Sequence, residues 1–217
     1  MDTNDVKTYG CRLNFYESEV IRKFAKKQNI SNSTFINGCA VTNKTIADLK
    51  SEIRKIKREK PDRKIVLTGC AAQIHQEEFS KMSEIDAIIG NKEKLEEKTY
   101  ERLRTANDKV NEVGDILQES QAIAPIIDKV EQRIRGFVQI QNGCDHRCTF
   151  CIIPYGRGNS RSVKPNNVVK QIKNLLEKNY KEIVLTGVDL TSYGHDFEDK
   201  KKITDLVKLI FSEVPNL

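Results

Sequence analysis

Four short apolar stretches of this sequence end in the dipeptide Gly-Cys, and this repeated ending strongly constrains the fold. The stretches are VKTYGC up to Cys11, TFINGC up to Cys39, KIVLTGC up to Cys70 and RGFVQIQNGC up to Cys144. Runs of this length and composition predict buried β-strands, and a terminal glycine permits a tight turn and close backbone approach. Longer segments with helical periodicity separate them. The alternation predicts an α/β protein with parallel strands.

The segments between the strands predict helices in the N-terminal part of the chain. Asn14 and Glu17 suggest a capping pair ahead of a helix that continues to about Asn29. A strand over residues 86–90 precedes a charged helix that begins near Lys92, which gives a βαβαβ-like arrangement. Another helix is indicated by apolar residues three or four positions apart, namely Ile46, Leu49, Ile53 and Ile56.

Three cysteines that are distant in sequence follow strands of the same predicted sheet. Gaps of 28 and 31 residues separate Cys11, Cys39 and Cys70. In open parallel sheets, ligands bind beyond the carboxyl ends of the strands, so we expect these side chains to gather at one edge. A free cysteine taken singly is more often a buried core residue. The expectation of a shared site therefore depends on the recurrence of the pattern.

The remaining sequence predicts a second α/β segment after an irregular connection. Periodicity fades over residues 105–133, which is typical of a linker. A helix is then expected to begin at Pro165, followed by a strand over 182–186 and a helix with an apolar face that includes Phe211. The predicted divisions are an N-terminal domain over 1–104, a connection over 105–133 and a second domain over 134–217.

Composition favours a cytoplasmic protein that has no contact with membranes. No run approaches the roughly 18 apolar residues that a spanning helix needs, and the N-terminus lacks the apolar segment of a signal peptide. In a reducing compartment, six cysteines indicate metal binding or redox chemistry in preference to disulfides. The hydrophobic content of 38% is sufficient to form a core, which argues against disorder.

Cys144, Cys148 and Cys151 form a C-x3-C-x2-C run directly after a predicted strand. Structural zinc and most iron–sulfur clusters take four protein ligands, whereas this run supplies three. A zinc site would need His146 or a distant donor as its fourth ligand. A cubane cluster held by three thiolates leaves one iron open to a small molecule. An iron–sulfur cluster is the favoured interpretation and zinc the second.

With Phe150 immediately before its last cysteine, this run resembles the motif of the radical S-adenosylmethionine (SAM) enzymes. The resemblance implies that the open iron binds SAM and that an electron from the cluster cleaves it to a 5′-deoxyadenosyl radical. It also implies that Phe150 and Gly187 contact the cofactor, with Gly187 allowing SAM to approach the backbone. The protein would orient this cofactor and exclude water.

The surroundings of the dispersed cysteines resemble the methylthiotransferases within that superfamily. The matching motifs are YGCRLN around Cys11, NGCAVTN around Cys39 and LTGCAAQ around Cys70. The resemblance implies two [4Fe-4S] clusters, the second on these three cysteines with an open iron that presents the sulfur to be inserted. A reductant and a sulfur donor would be required as partners.

Two short motifs resemble the branch that acts on threonylcarbamoyladenosine in tRNA. They are CAVTN from Cys39 and IIPYGRGNSRS after Cys151. The expected reaction is 2-methylthiolation of N6-threonylcarbamoyladenosine at position 37. The alternatives are isopentenyladenosine in tRNA and a ribosomal protein.

Basic residues suggest where a nucleic acid or its modified base would bind. Arg157 and Arg161 follow the cysteine run, and guanidinium matches phosphate and carboxylate bidentately. Ordinary salt bridges explain both arginines equally well. Residues 50–64 contain eight Lys or Arg against three acids, which predicts either a solvated helix face or a tRNA-binding surface.

Members of this family continue through a longer TIM-like barrel and a small tRNA-binding domain. The second domain of this chain contains only the first βα units of that barrel, which predicts an incomplete radical SAM domain and a sheet edge exposed to solvent. We therefore expect a truncated chain of uncertain activity, completed by a separate chain or limited to non-catalytic iron–sulfur binding.

Overall fold

The computed structural model describes residues 5–130, 133–215 and 217, which divide into two compact units. The units are Met1–Ile116 and Leu117–Leu217. Both consist of alternating strands and helices, which confirms the predicted α/β class. The boundaries at 104 and 133 stay predictions, and residues 131 and 132 of the expected connection lie outside the described part of the chain.

The first unit is a parallel five-stranded sheet with strands in chain order. Its strands are β1 (Asp5–Thr8), β2 (Ser33–Gly38), β3 (Lys64–Gly69), β4 (Ala87–Ile89) and β5 (Val110–Glu112). Its helices are α1 (Arg12–Lys27), α2 (Asn43–Glu59), α3 (Cys70–Ile74), α4 (Gln76–Ser80) and α5 (Glu97–Thr105), with a 3₁₀ turn at Glu93–Leu95. A further 3₁₀ turn, Ile116–Gln118, includes the last residue of this unit and the first two of the next.

The apolar stripe predicted for α2 faces the core of the first unit. Ile46, Leu49, Ile53 and Ile56 are all buried in this helix. The Thr42 side chain caps it by accepting a hydrogen bond from the backbone N–H of Thr45 at 3.1 Å.

Three local expectations for this unit are wrong. Helix α1 begins at Arg12, so Asn14 and Glu17 lie inside the helix and are buried instead of capping it. The charged segment near Lys92 forms a 3₁₀ turn before α5 begins at Glu97. Strand β5 lies within the segment expected to be irregular and pairs with β4. Single-sequence periodicity cannot detect a strand of three residues with only one apolar side chain.

The second unit contains two short sheets. Its strands are β6 (Arg135–Gln139), β7 (Gln141–Asn142), β8 (Arg161–Ser162) and β9 (Glu182–Thr186), and its helices are α6 (Ile153–Arg157), α7 (Pro165–Glu177) and α8 (Ile203–Glu213). A 3₁₀ turn occupies Leu190–Ser192. Strands β6 and β9 pair in parallel, and β7 pairs with β8 antiparallel.

The helices of the second unit largely follow the predicted pattern. Pro165 occupies the first turn of α7, and the buried side chains of this helix include Ile172 and Leu175. In α8, Leu206 and Ile210 are buried, whereas Phe211 is 58% exposed. Among the described residues, no helix is both long and apolar enough to cross a bilayer.

Candidate metal centres

The carboxyl ends of β1, β2 and β3 bring the dispersed cysteines to one edge of the first sheet. Gly10 precedes Cys11, and a Cβ added to this glycine would lie 2.9 Å from the Cβ of Cys39 and 3.4 Å from its Sγ. The chain around Cys11 therefore contacts Cys39 directly. Absence of a side chain at Gly10 is what permits this approach.

Paired glycines bring the next two cysteines together in the same way. Gly38 and Gly69 are register partners in β2 and β3, and Cys39 and Cys70 each follow one of them. Gly69 has φ +91°, and a Cβ there would overlap the carbonyl oxygen of Gly38. Cys11 is exposed, Cys39 is half-buried and Cys70 is buried, and all are free thiols. The three free thiols share one sheet edge, as a cluster with three protein ligands would require, and their ligation of a cluster stays a prediction.

A fully buried ion pair lies beneath this edge and was missed by the sequence interpretation. Lys94 Nζ is 2.5 Å from Glu17 Oε2, and both side chains have no solvent exposure. The ammonium also donates to Asn91 Oδ1 at 2.6 Å and to Asn37 Oδ1 at 3.2 Å. Asn91 Nδ2 in turn donates to Cys70 Sγ at 3.7 Å. The polar network thus reaches one of the three candidate ligands.

A second branch of the network approaches Cys11. Asn37 Nδ2 donates to the backbone oxygen of Asn14 at 2.9 Å, and Cys11 Sγ donates to Asn14 Oδ1 at 3.4 Å. That last bond requires a protonated thiol, whereas metal ligation requires the thiolate. Binding of a metal by Cys11 would therefore replace this bond.

The second candidate centre is a loop after β7 in which three cysteines lie within eight residues. Gly143 has φ +75°, and a Cβ there would overlap the carbonyl oxygen of Asn159. Backbone N–H groups of Cys144 and Cys151 donate to Gly158 and Cys148 oxygens, both at 3.0 Å. The backbone is thus fixed independently of any metal.

Side chains at both ends of the loop add further bonds. Asp145 Oδ1 accepts from the Ser160 N–H at 2.7 Å, while Arg147 donates to the Cys144 oxygen at 2.8 Å and to Asn159 Oδ1 at 2.6 Å. Cys148 is exposed and the other two thiols are half-buried. The loop thus carries three free thiols on a constrained backbone, and their ligation of a cluster stays a prediction. Phe150, which resemblance places against SAM, is 91% exposed.

Gln141 organises the base of this loop and was not singled out by the sequence. It is fully buried, and its Oε1 accepts from the backbone N–H groups of Val188 at 2.9 Å and Asp189 at 2.8 Å. Its Nε2 donates to the oxygens of Gly143 at 2.7 Å and Asn142 at 3.1 Å. One amide therefore connects the cysteine loop to the loop that follows β9.

Gly187 lies in that second loop and packs closely against protein atoms. A Cβ there would be 2.8 Å from Leu190 Cδ2 and 2.9 Å from Gln141 Oε1. Glycine is therefore required for internal packing at this position. Its contact with SAM stays a prediction.

The two arginines expected to reach substrate are buried in the second unit. Arg157 is 2% exposed and Arg161 is 5% exposed. Arg161 donates to the backbone oxygen of Arg157 at 2.6 Å, and its Nε has no hydrogen-bond partner within the described ranges. Loss of hydration on burial lowers the pKa of Arg161. Their role toward substrate stays a prediction.

A mixed set of donors also lies beside the first cysteine of the loop. Ligand atoms of Cys144, His146 and Asp189 all lie within 4.8 Å of one another. Hydrogen bonds from Ser192 and then Thr191, both at 2.6 Å, are the main reason that the pKa of Asp189 is lowered. His146 Nε2 is 3.2 Å from Asp189 Oδ2. Sulfur, nitrogen and oxygen donors of this kind are the ligands zinc takes.

The basic helix α2 is partly neutralised by acids from later segments of the first unit. Lys50 pairs with Glu78, and Lys57 Nζ is 3.3 Å from Asp86 Oδ2. Lys55 and Arg58 are exposed. The positive surface available to a nucleic acid is therefore smaller than the residue count suggested.

Two family models match the chain, one over each unit. Residues 3–90 match Uncharacterized protein family UPF0004, and residues 138–215 match the Radical SAM superfamily. The threonylcarbamoyladenosine tRNA methylthiotransferase MtaB of Rickettsia prowazekii is 42% identical, with 98% of this chain and 50% of that protein aligned. Over both of its units the chain is therefore similar to radical SAM methylthiotransferases.

Other members of the methylthiotransferase family align over a similar extent. MtaB of Aquifex aeolicus is 34% identical over 94% of this chain and 52% of its own length. The tRNA-2-methylthio-N(6)-dimethylallyladenosine synthase of Clostridium beijerinckii is 29% identical over 94% and 48%. The chain thus spans about half the length of the curated relatives it matches.

A solved radical SAM structure confirms the fold at low sequence identity. The methyltransferase TsrM from Kitasatospora setae aligns with a TM-score of 0.54 and 12% identity, covering all of this chain and 52% of that one. At this identity the likeness concerns the fold alone. The match of residues 138–215 to the Radical SAM superfamily implies one [4Fe-4S] cluster and SAM.

Proposed function

We propose that this methylthiotransferase acts in the 2-methylthiolation of N6-threonylcarbamoyladenosine at position 37 of tRNA. The observation that supports it most directly is the presence of two separate sets of three free cysteines, one at the edge of a parallel sheet and one in a constrained loop. The 42% identity to MtaB of Rickettsia prowazekii, against 29–33% for three dimethylallyladenosine synthases, favours the threonylcarbamoyl substrate.

Each cysteine set would bind one [4Fe-4S] cluster. Cys144, Cys148 and Cys151 would hold the cluster that binds SAM, with Phe150 and Gly187 beside the cofactor. Cys11, Cys39 and Cys70 would hold the second, which leaves one iron free to present sulfur. When bound, the clusters and SAM supply one-electron chemistry that activates an unreactive C–H bond. The chain itself positions the thiolates through Gln141, Arg147 and the strand-end glycines.

Iron stoichiometry after anaerobic reconstitution tests the two-cluster proposal. The unsubstituted chain should bind about eight irons. Alanine at Cys144, Cys148 and Cys151 should leave about four, and alanine at the three dispersed cysteines should also leave about four. A chain that binds about four irons regardless of Cys11, Cys39 and Cys70 would refute the second cluster.

Nucleoside analysis tests the substrate. Reduced, reconstituted protein would be incubated with SAM, a sulfide source and tRNA that carries either threonylcarbamoyladenosine or isopentenyladenosine, and the digested tRNA analysed by mass spectrometry. We expect a methylthio group on the threonylcarbamoyl nucleoside only. Modification of the isopentenyl nucleoside alone, or of a ribosomal protein offered in parallel, would replace the proposed substrate. The reductant and sulfur donor are proposed partners, and a cytoplasmic location follows from a tRNA substrate.

A second candidate function is non-catalytic metal binding, favoured by the mixed donor set at Cys144, His146 and Asp189. This interpretation predicts that purified protein contains about one zinc per chain and that His146→Ala removes it. Iron–sulfur loading would instead be insensitive to His146→Ala. Elemental analysis of aerobically and anaerobically prepared protein, with and without this substitution, separates the two functions.

A further inference from the structure

The polar network beneath the first sheet edge fixes the orientation of the Asn91 side-chain amide. Lys94 has only donors, and its ammonium lies 2.6 Å from Asn91 Oδ1. The amide oxygen must therefore face Lys94, because the reverse orientation would place two donors together. Consequently Asn91 Nδ2 faces Cys70 Sγ, at 3.7 Å.

Burial makes this arrangement rigid. Lys94 and Glu17 have no exposure, Asn91 is 4% exposed, and the Asn91 backbone N–H donates to Gln73 Oε1 at 2.9 Å. Glu17 compensates the charge of Lys94, so the ammonium remains paired inside the protein. Rotation of the Asn91 amide would break its bonds to both Lys94 and Cys70.

The bond at Cys70 differs in direction from the bond at Cys11. The Cys70 sulfur accepts a hydrogen bond, while the Cys11 thiol donates one. An acceptor sulfur keeps its bond when it becomes a thiolate, and the bond becomes charge-assisted. Cys70 is therefore already arranged for its metal-bound form, whereas Cys11 must change its contact.

We propose that Asn91, oriented by the Lys94–Glu17 pair, is a positioning residue that donates a hydrogen bond to the Cys70 thiolate of a metal cluster. This inference rests on the proposed cluster at Cys11, Cys39 and Cys70. Hydrogen bonds to cluster sulfurs raise the reduction potential, because they stabilise the additional negative charge of the reduced state. Groups that orient a ligand also slow loss of the metal.

The experiment uses the full chain with alanine at Cys144, Cys148 and Cys151, so that only the first centre contributes. Asn91→Asp keeps an oxygen toward Lys94 but removes the N–H donor, and Asn91→Ala removes both groups. We expect both variants to have a more negative reduction potential and to lose iron to a chelator about tenfold faster. Asn91→Asp should show the larger shift in potential because it adds negative charge.

Tyr100→Phe is the matched control. The Tyr100 hydroxyl is buried and donates to the Lys94 backbone oxygen at 2.7 Å, but the network reaches Cys70 through the Lys94 side chain. This variant should lower stability without changing the potential or the rate of iron loss. If the parent and both Asn91 variants had equal reduction potentials and equal rates of iron loss, this inference would be overturned and the two-cluster proposal would stand. A parent chain without iron would overturn the two-cluster proposal and, with it, this inference.

Discussion

The two candidate centres contain the same number of cysteines, but one is assembled from separate strands and the other lies within a single loop. The first requires three parallel strands, because its candidate ligands Cys11, Cys39 and Cys70 follow β1, β2 and β3. The second is set within one loop by backbone bonds and the conformation of Gly143. The first centre should therefore depend on the stability of its whole unit. The second should depend on a few local contacts.

The largest expected effect concerns the buried ion pair of the first unit. Lys94→Met leaves Glu17 charged without its cation, which should cost about 3–5 kcal/mol. Amide hydrogen exchange resolved to the first unit would measure the loss, and iron binding by the dispersed cysteines should fall with it. The double variant Lys94→Met, Glu17→Gln removes both charges and should recover about 2 kcal/mol. If the single and double variants were equally stable, charge compensation would not explain the pair.

In the second unit, the largest effect is expected from Gln141→Met. The substitution preserves volume but leaves the N–H groups of Val188 and Asp189 without their acceptor, at a cost of about 3 kcal/mol. Iron binding by the cysteine loop should decrease, while exchange protection in the first unit should stay the same. A variant with normal loop iron would show that the cysteine loop does not need this amide.

A glycine comparison tests whether the loop is constrained locally. Gly143→Ala places a side chain at φ +75° against Asn159, and Gly194→Ala does the same at φ +80° against Lys201. Each should cost about 2 kcal/mol by denaturant unfolding. Only Gly143→Ala should reduce iron bound by the loop, because Gly194 is distant in sequence from the three ligands. Similar iron loss in both variants would indicate that iron binding by the loop depends on the stability of the whole second unit, as is expected for the first centre and its unit.

The smallest effect concerns Glu93, the residue adjacent to Lys94. Its Oε2 has no hydrogen-bond partner within the described residues, and burial raises its pKa above the ordinary value of 4.5. The Glu93 carboxyl therefore has a higher pKa in the folded chain than in the unfolded chain. It contributes stability that is fully present below the pKa of the unfolded chain and is lost as the pH rises through the pKa of the folded chain. Glu93→Gln should therefore be more stable than the unsubstituted chain at pH 7 by a few tenths of a kcal/mol. The difference in stability between the two proteins should disappear near pH 4. A constant difference from pH 4 to pH 7 would contradict a raised pKa of Glu93.

The sequence predicted the positions of the cysteines better than the polar groups that support them. Gly-Cys endings are local patterns with a general structural meaning, so the sheet edge could be inferred from them. Lys94 lies in the charged sequence KEKLEEK, which predicted a charged helix, yet its side chain is fully buried. Its partner Glu17 is 77 residues away, and no periodicity connects them. Gln141 is equally inconspicuous, because its partners lie on two separate loops.

The short span of the second centre has a practical consequence for protein engineering. Its three thiols, its backbone bonds and two glycines with positive φ, Gly143 and Gly158, fall within residues 143–158. Such a segment is a candidate for transplantation into another strand-to-helix junction, provided that the host supplies an amide equivalent to Gln141. The dispersed centre offers no transferable peptide, because its candidate ligands come together only where three neighbouring strands end.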